Sequence, residues 1–505
     1  MAKKILTYLC LVACVEFGFA GSILAKTYFG LPQDSAVAKV GSRIITTEEF
    51  VNSYEYGPAF YKRSEDSKKV FLDDLIREKL LAQDACSRGL DTTIDVRNTL
   101  QAFMDDIATE EMFKKEILSQ VTYTPEEVDT VAKQKLIDVE VRWLYSNSKE
   151  EISRLNDSLK AGISFEKLFN RQINDTVYTE DRLLNTTRYL LGMKNPLLGK
   201  IIDTMKVGSY SLPISVDNGW YIIELKNFSY RLISSETEQN KITEEAQQAV
   251  IKTKSDLLSD KYVHGLMLSN NPVIKRKPFQ ILRSYLAGSE LPDEKYKEWL
   301  FDEKLLSALK DYEGIKENDY PGIVIVELTD SKITLGEYLN WFRLRSQYIK
   351  LDKRSFAQYS RSLEQTIWQM VRDHLLAKSA RSKGYYENWN VKKQAQFWLD
   401  KILYATVKNE TINSILIENK EIASLPDTSR TQAELIENEL TKKYFYKLNN
   451  LKKQFEVKIN EQVLNSIQVS EENNPDAIEF YTVKNRGLIP RTPFPTIDNY
   501  WARWK

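Results

Sequence analysis

The 505-residue sequence is poor in the residues that build metal and cofactor sites. It has two histidines, His264 and His374, far apart in the chain. It has three cysteines: Cys10 and Cys14 fall in the first segment and only Cys86 lies beyond it. No zinc spacing exists in that set, and a lone Cys86 allows no intramolecular disulfide once the first segment is removed, so core packing must hold the fold. Neither sign of charge is in excess, since Lys+Arg and Asp+Glu both number 71, which gives no basic surface for nucleic acid. Nucleotide motifs are lacking too. Gly192 and Gly199 are separated by six residues, and Ile201 follows Lys200, where a phosphate-binding loop needs a four-residue gap and a Ser or Thr after its Lys. There is no Gly-x-Ser-x-Gly nucleophile elbow. The sequence therefore points to no cofactor, metal, nucleotide or nucleic acid. Both histidines read as ordinary helix residues, and the acid pairs Asp73-Asp74 and Asp105-Asp106 read as solvated helix faces.

Gly and Pro are few, at 18 and 14, while 42% of the residues are apolar and 28% charged. That balance describes a helix-rich chain with enough apolar side chains for packed cores. The length suggests about three domains at ~150 residues each. The N-terminus reads as an export signal: Lys3 and Lys4, then a mostly apolar run from Ile5 to Ala25, with small residues that suit cleavage after Ala20 or Ala25. Two alternatives stay open. The run is long enough to serve as an uncleaved anchor, although Glu16 inside it is costly in hydrocarbon, and Leu11-Val12-Ala13-Cys14 loosely fits a lipidation site at Cys14. Residues 1–25 are thus assigned to a signal, with membrane proximity through this segment, and no later run is long enough to span a bilayer.

The strongest organisational feature is an internal repeat. Ile45-Thr46-Thr47-Glu48-Glu49-Phe50 matches Ile333-Thr334-Leu335-Gly336-Glu337-Tyr338, each after a β-rich stretch. Leu75-Ile76-Arg77-Glu78-Lys79-Leu80-Leu81-Ala82 matches Met370-Val371-Arg372-Asp373-His374-Leu375-Leu376-Ala377. Gly89 and Gly384 follow at the same offset, as helix-terminating glycines. Lys261-Tyr262 precedes the closing stretch Pro272 to Lys275, and Lys443-Tyr444 precedes Phe455 to Ile459. The expected organisation is one lobe from 35–137 plus 235–280, a separate domain inserted at 138–229, linker helices at 281–320, a second helical lobe at 321–472, and a C-terminal strap at 473–505. The fold class is α+β, helix-dominated.

Within the insert the order is strand, helices, then two strands, with a hairpin signal at Asn218-Gly219. Three stretches are specific: Leu159 to Phe165 (Leu-x-x-Gly-x-x-Phe); Gly208, Ser211 and Pro213 (Gly-x-x-Ser-x-Pro); and Gly219-Trp220-Tyr221-Ile222-Ile223-Glu224-Leu225. On these residues the insert resembles a parvulin, the small prolyl isomerase domain, and the flanking lobe resembles the chaperone lobe of SurA/PrsA-type folding factors. The resemblance covers residues 35 to 280 and reaches 320–465 only through the repeat. It implies two pocket histidines, but Trp143 and Tyr221 stand in those positions, and the glycine-rich central segment is eroded to Arg188-Tyr189-Leu190-Leu191-Gly192. The implied catalytic set is therefore missing. Trp143, Tyr221 and Trp220 are candidate peptide-binding aromatics, with packing of the domain core as the other and favoured reading; Trp220 and Tyr221 fall on opposite faces of one strand, so at most one of that pair lines a pocket. What the resemblance implies is a periplasmic or cell-envelope holding chaperone for unfolded exported or outer-membrane proteins, independent of ATP. Its rivals are an active prolyl isomerase and a non-catalytic scaffold subunit of an envelope complex.

Overall fold

The computed structural model describes residues 35–504, apart from 64–65, 175–176, 217–218, 313–315, 347–348, 427–428, 471–479, 484–486 and 491–493. The export segment with Cys10 and Cys14, and Asn218 of the hairpin signal, lie outside the described residues. The fold is α+β and helix-dominated, with small antiparallel sheets. It divides into two compact units, residues 121–255 and the larger remainder.

The larger unit begins with β1 (Ala36–Val40), β2 (Arg43–Thr46), α1 (Thr47–Glu55), α2 (Ser67–Ser87) and α3 (Ile94–Glu116). The smaller unit holds α4 (Pro125–Lys135), β3 (Ile137–Ser146), α5 (Lys149–Lys160), α6 (Phe165–Gln172), β4 (Leu183–Thr187), α7 (Arg188–Lys194), α8 (Pro196–Thr204), β5 (Ile214–Val216) and β6 (Gly219–Tyr230). The division falls inside α9 (Glu236–Asn270). The larger unit resumes with β7 (Val273–Ile274), α10 (Arg276–Glu290), α11 (Asp293–Glu298), α12 (Phe301–Leu309), β8 (Val324–Glu327), β9 (Lys332–Thr334), α13 (Leu335–Arg345), α14 (Phe356–Ser382) and α15 (Trp389–Glu418). It ends with α16 (Lys420–Ser424), α17 (Arg430–Gln454), β10 (Val457–Ile459), α18 (Glu461–Ser466) and the hairpin β11 (Phe480–Val483), β12 (Gly487–Pro490).

The repeated sequence builds repeated local structure. Thr46 caps α1 by accepting the Glu49 N–H at 3.1 Å. Thr334 caps α13 in the same way, with Glu337 returning the bond to the Thr334 N–H at 2.7 Å, a capping box. Beyond α2 and α14 the chain turns at Gly89 (φ 76°) and Gly384 (φ 79°), left-handed positions that glycine fills without strain.

The closing strands depart from the expected lobes. β10 pairs antiparallel with β1, and β7 pairs with β8, so each hairpin is completed by the strand that follows the other copy. The cores follow the same exchange. The first gathers Val37 through Ala85 with Leu403, Tyr404, Val407, Leu440, Tyr444 and Leu448. The second gathers Ile107 through Ile117, Val263 and Met267 with Ile325, Tyr338, Leu363, Ile367 and Val371. The lobe boundaries 35–137 plus 235–280 and 321–472 are corrected accordingly. α3 and α15 are the exchanged elements: α3 starts in the first core at Val96 and ends in the second, and α15 starts in the second at Val391 and ends in the first. They meet where Phe103 stacks on Trp398, with centroids 3.8 Å apart. Those two residues are separated by the same interval as Gly89 and Gly384, so equivalent positions touch at the crossing. α10 and α12, within the expected linker 281–320, belong to the second core instead, where Ile281, Leu282, Leu286, Phe301 and Ala308 are buried. Residues 497–504 lie in the first core, where Trp501 is 1% exposed.

The smaller unit carries a four-stranded antiparallel sheet in the order β4-β3-β6-β5. β4 and α7, short elements that the hydropathy pattern does not reveal, occupy the segment read as an eroded glycine-rich loop. The near-miss glycines serve packing. A Cβ at Gly199 would lie 2.6 Å from Arg188 Nη1 and 3.0 Å from Gly192 Cα, so both glycines make room for Arg188 as it pairs with Asp203 at 2.5 Å.

Candidate functional site

In the smaller unit, β3 and β6 run side by side, with Trp143 opposite Ile223 and Tyr145 opposite Tyr221. Strand alternation therefore puts Trp143 and Tyr221 diagonally on one face. Both are half-buried and pack against Val139, Val141, Ile223, Leu191 and Ile202. Tyr221 also faces Tyr145 at 5.1 Å. The two positions that the resemblance gives to histidines are thus brought together, in an apolar layer under α7 and α8. An indole N–H and a phenol sit there, with no imidazole to gain or lose a proton near neutrality.

Trp220 is on the opposite face with Leu144, Ile152, Phe165, Phe169 and Ile222. Lys149 lies over its ring at 5.6 Å. On this same face the buried Arg142 pairs with Glu224 and, at 2.5 Å, with Glu166, while its guanidinium lies 4.9 Å from the Phe169 ring centre. Burial works against the Arg142 charge, but the two carboxylates hold it charged and its pKa up. The Gly208–Ser211 stretch owes its pattern to β6. Gly208 N–H donates to Leu225 O at 2.7 Å with φ at 83°, and Ser211 brackets Ile223 by donating to its carbonyl at 2.8 Å and accepting its N–H at 3.0 Å.

The remaining titratable candidates fall in the larger unit. His264 is exposed on α9. His374 is half-buried on α14, its pKa lowered by burial against the pull of Glu337 and Asp105. The acid pairs are not the solvated faces expected: Asp74 is 2% exposed and accepts from the Tyr61 hydroxyl at 2.5 Å. Asp106 bonds Arg345 at 2.5 Å. Burial pushes Asp106 up to about 7, against Arg345 and with the charges of Asp373 and Asp105. Among the described residues, no cluster of His, Cys, Asp and Glu could hold a metal, and no helix is long and apolar enough to cross a membrane.

Asp106 borders a feature that the sequence did not single out. α3, α9 and α14 border a narrow cleft that opens to solvent at its mouth. Met112, Phe113, Tyr262 and Leu376 supply its apolar wall, and Asp106, Glu110, Glu116 and Asp373 supply its charge. No local signal marks it, because its three walls come from segments more than a hundred residues apart.

The class defined so far is a helix-dominated α+β chain with two exchanged cores and a four-stranded insert. No family model matches the chain. No curated protein matches it. Among solved structures it is similar to the foldase protein PrsA from Streptococcus pneumoniae, at 14% identity over 43% of this chain and 91% of that one, with a TM-score of 0.21. It is also similar to the peptidylprolyl isomerase PrsA from Bacillus cereus, at 15% identity over 56% of this chain and 100% of that one, TM-score 0.23. A third is PrsA from Bacillus subtilis, at 13% identity over 44% and 91% of the two chains, TM-score 0.17. Scores of that size carry no argument of their own.

Proposed function

We propose that the chain is an extracytoplasmic holding chaperone of the SurA/PrsA type, independent of ATP, whose parvulin-like insert works without catalysis. The observation that carries this reading is the placement of Trp143 and Tyr221. They stand together at the two histidine positions, packed under α7 and α8 against Leu191 and Ile202. Prolyl isomerisation must lower a barrier of about 18–20 kcal/mol. A filled apolar layer offers no shaped polar pocket in which a twisted amide is stabilised. Binding surface is available instead: Leu190, Met193 and Leu197 are exposed within one short stretch of α7 and α8, the kind of apolar exposure that marks interaction sites. The clients would be unfolded exported or outer-membrane proteins. The place of action would be the periplasm or cell envelope, reached through the N-terminal segment, by cleavage, by anchoring or through a lipid on Cys14.

The test is light scattering of a denatured outer-membrane protein diluted with and without the chain from Lys26 onward. Holding predicts suppressed scattering near stoichiometric chain. Unchanged scattering, where a control chaperone suppresses it, rejects the reading. A proline-isomerisation assay on the same preparation should match the uncatalysed rate.

A further inference from the structure

We propose that His374 makes the second core an acid-sensitive latch: protonation of its imidazole loosens the junction of α3, α13 and α14, at the position where a lysine clamps the first core. The repeat places the same three-residue junction in both cores.

The interval that pairs Gly89 with Gly384 and Phe103 with Trp398 also pairs Lys79 with His374 and Asp105 with Asp400. The interval from Ile45 to Ile333 pairs Glu49 with Glu337. Both acids are kept and only the base is changed. In the first core Lys79 is 3% exposed and bonds Glu49 of α1 at 2.5 Å and Asp400 of α15 at 2.8 Å. Arg43 of β2 reaches the same Asp400 at 3.0 Å. Burial opposes the Lys79 charge, but Asp400 and Glu49 hold its pKa up. One lysine, charged at every pH near neutrality, thus joins α2 to α1 and to the exchanged helix α15. Burial pushes Glu49 up to about 7, against the pull of Lys79. Its titration therefore weakens the first core as pH rises and not as it falls.

In the second core the two acids have other partners. Glu337 of α13 is exposed and accepts from the N–H and the hydroxyl of Thr334 at 2.7 and 3.0 Å. Asp105 of α3 accepts from the Tyr386 hydroxyl at 2.5 Å and from Gln101 at 2.6 Å, and Arg381 of α14 lies 3.4 Å away. Among the described residues the ring of His374 makes neither a hydrogen bond nor an ion pair. The charges that face it are Glu337 from α13, Asp105 from α3, and Lys378 and Arg381 from its own helix. Burial outweighs the two acids, the two cations add to it, and the imidazole pKa lies below its ordinary value. The folded state therefore takes up this proton less readily than the unfolded one. The stability that neutral His374 contributes is complete above the ordinary imidazole range and is lost as pH falls through the lower folded value. Acid thus acts on the junction of one core and leaves its twin clamped. In a holding chaperone, acidification would then present second-core side chains such as Tyr338 and Leu363 to clients; this use rests on the holding reading.

The experiment is urea unfolding of the chain from Lys26 onward at about pH 7.5 and about pH 5. Wild type is compared with His374→Gln, which stays neutral, and with His374→Lys, which stays charged. The ratio of the wild-type unfolding constant to that of His374→Gln is expected to rise about threefold or more on acidification. Glu49 and Asp106 are common to both chains, so their opposite titration cancels in the ratio. The same rise is expected against His374→Lys, so the proposal stays testable if either variant fails to fold. His264→Gln, at the exposed histidine, should keep the wild-type rise. An unchanged ratio overturns the proposal. So does a falling one, which would mean that Glu337 and Asp105 clasp the charged ring. Scattering of a denatured outer-membrane protein at the two pH values separates the latch from its use. If the rise stands and aggregation is suppressed at neither pH, the holding reading falls and the latch remains. Equal suppression at both overturns only the use of the latch in holding.

Discussion

Single side chains carry the largest energies where a big ring and its polar atom are buried together. Trp501 fills the first core, donates to Glu78 and stacks on Tyr444. Trp501→Ala should cost about 3–5 kcal/mol, read as a lowered urea midpoint. Asp106 gives a pH signature. Its folded pKa, about 7, lies above the ordinary value of 3.8, so the folded state holds the proton more tightly than the unfolded one. That contribution is complete below the ordinary carboxylate range and is lost as pH rises through about 7. Stability curves measured across that window should slope less in Asp106→Asn than in the wild type. At this scale the sequence is weakest. Asp73-Asp74 and Asp105-Asp106 read as solvated faces because their partners, Tyr61 and Arg345, become neighbours only through folding. The aromatic pair was more legible: the alternation of β6 separates Trp220 from Tyr221, and the resemblance singled out Trp143 and Tyr221.

Elements were legible wherever caps, glycine stops and periodicity agree. Thr46, Thr334, Gly89 and Gly384 mark boundaries by chemistry that acts within a few residues. β4 and α7 were not legible, being too short to show a period. Gly192 and Gly199 illustrate a spacing without its nucleotide chemistry, kept for close packing around Arg188. Gly199→Ala would set a Cβ 2.6 Å from that guanidinium. A loss of about 1–3 kcal/mol is expected, visible as a lower melting temperature.

At the scale of the larger unit, the repeat was visible in the sequence but the exchange was not. β7 and β10 are both short, apolar and flanked alike, so nothing local says which hairpin each completes. The answer lies in long-range packing of α3 and α15, each of which runs through both cores. Shared helices should make the cores melt together. Calorimetry is expected to give one transition for the pair, lowered alike by Leu440→Ala in the first core and Leu363→Ala in the second, each by about 2–5 kcal/mol. Two separate transitions that respond to one substitution each would contradict this coupling.

The exchange also sets an order of assembly. β1 and β2 are synthesised early, yet the strand that covers the edge of β1 is β10, at Val457–Ile459. Everything the second core needs has been made by about the start of α15, so that core can close first. Until the ribosome passes β10, the hairpin presents an unpaired edge and an open apolar face, the features that invite pairing with other chains and capture by proteases. A chain cut short anywhere before that strand cannot hide them, so completeness of synthesis is written into the first core.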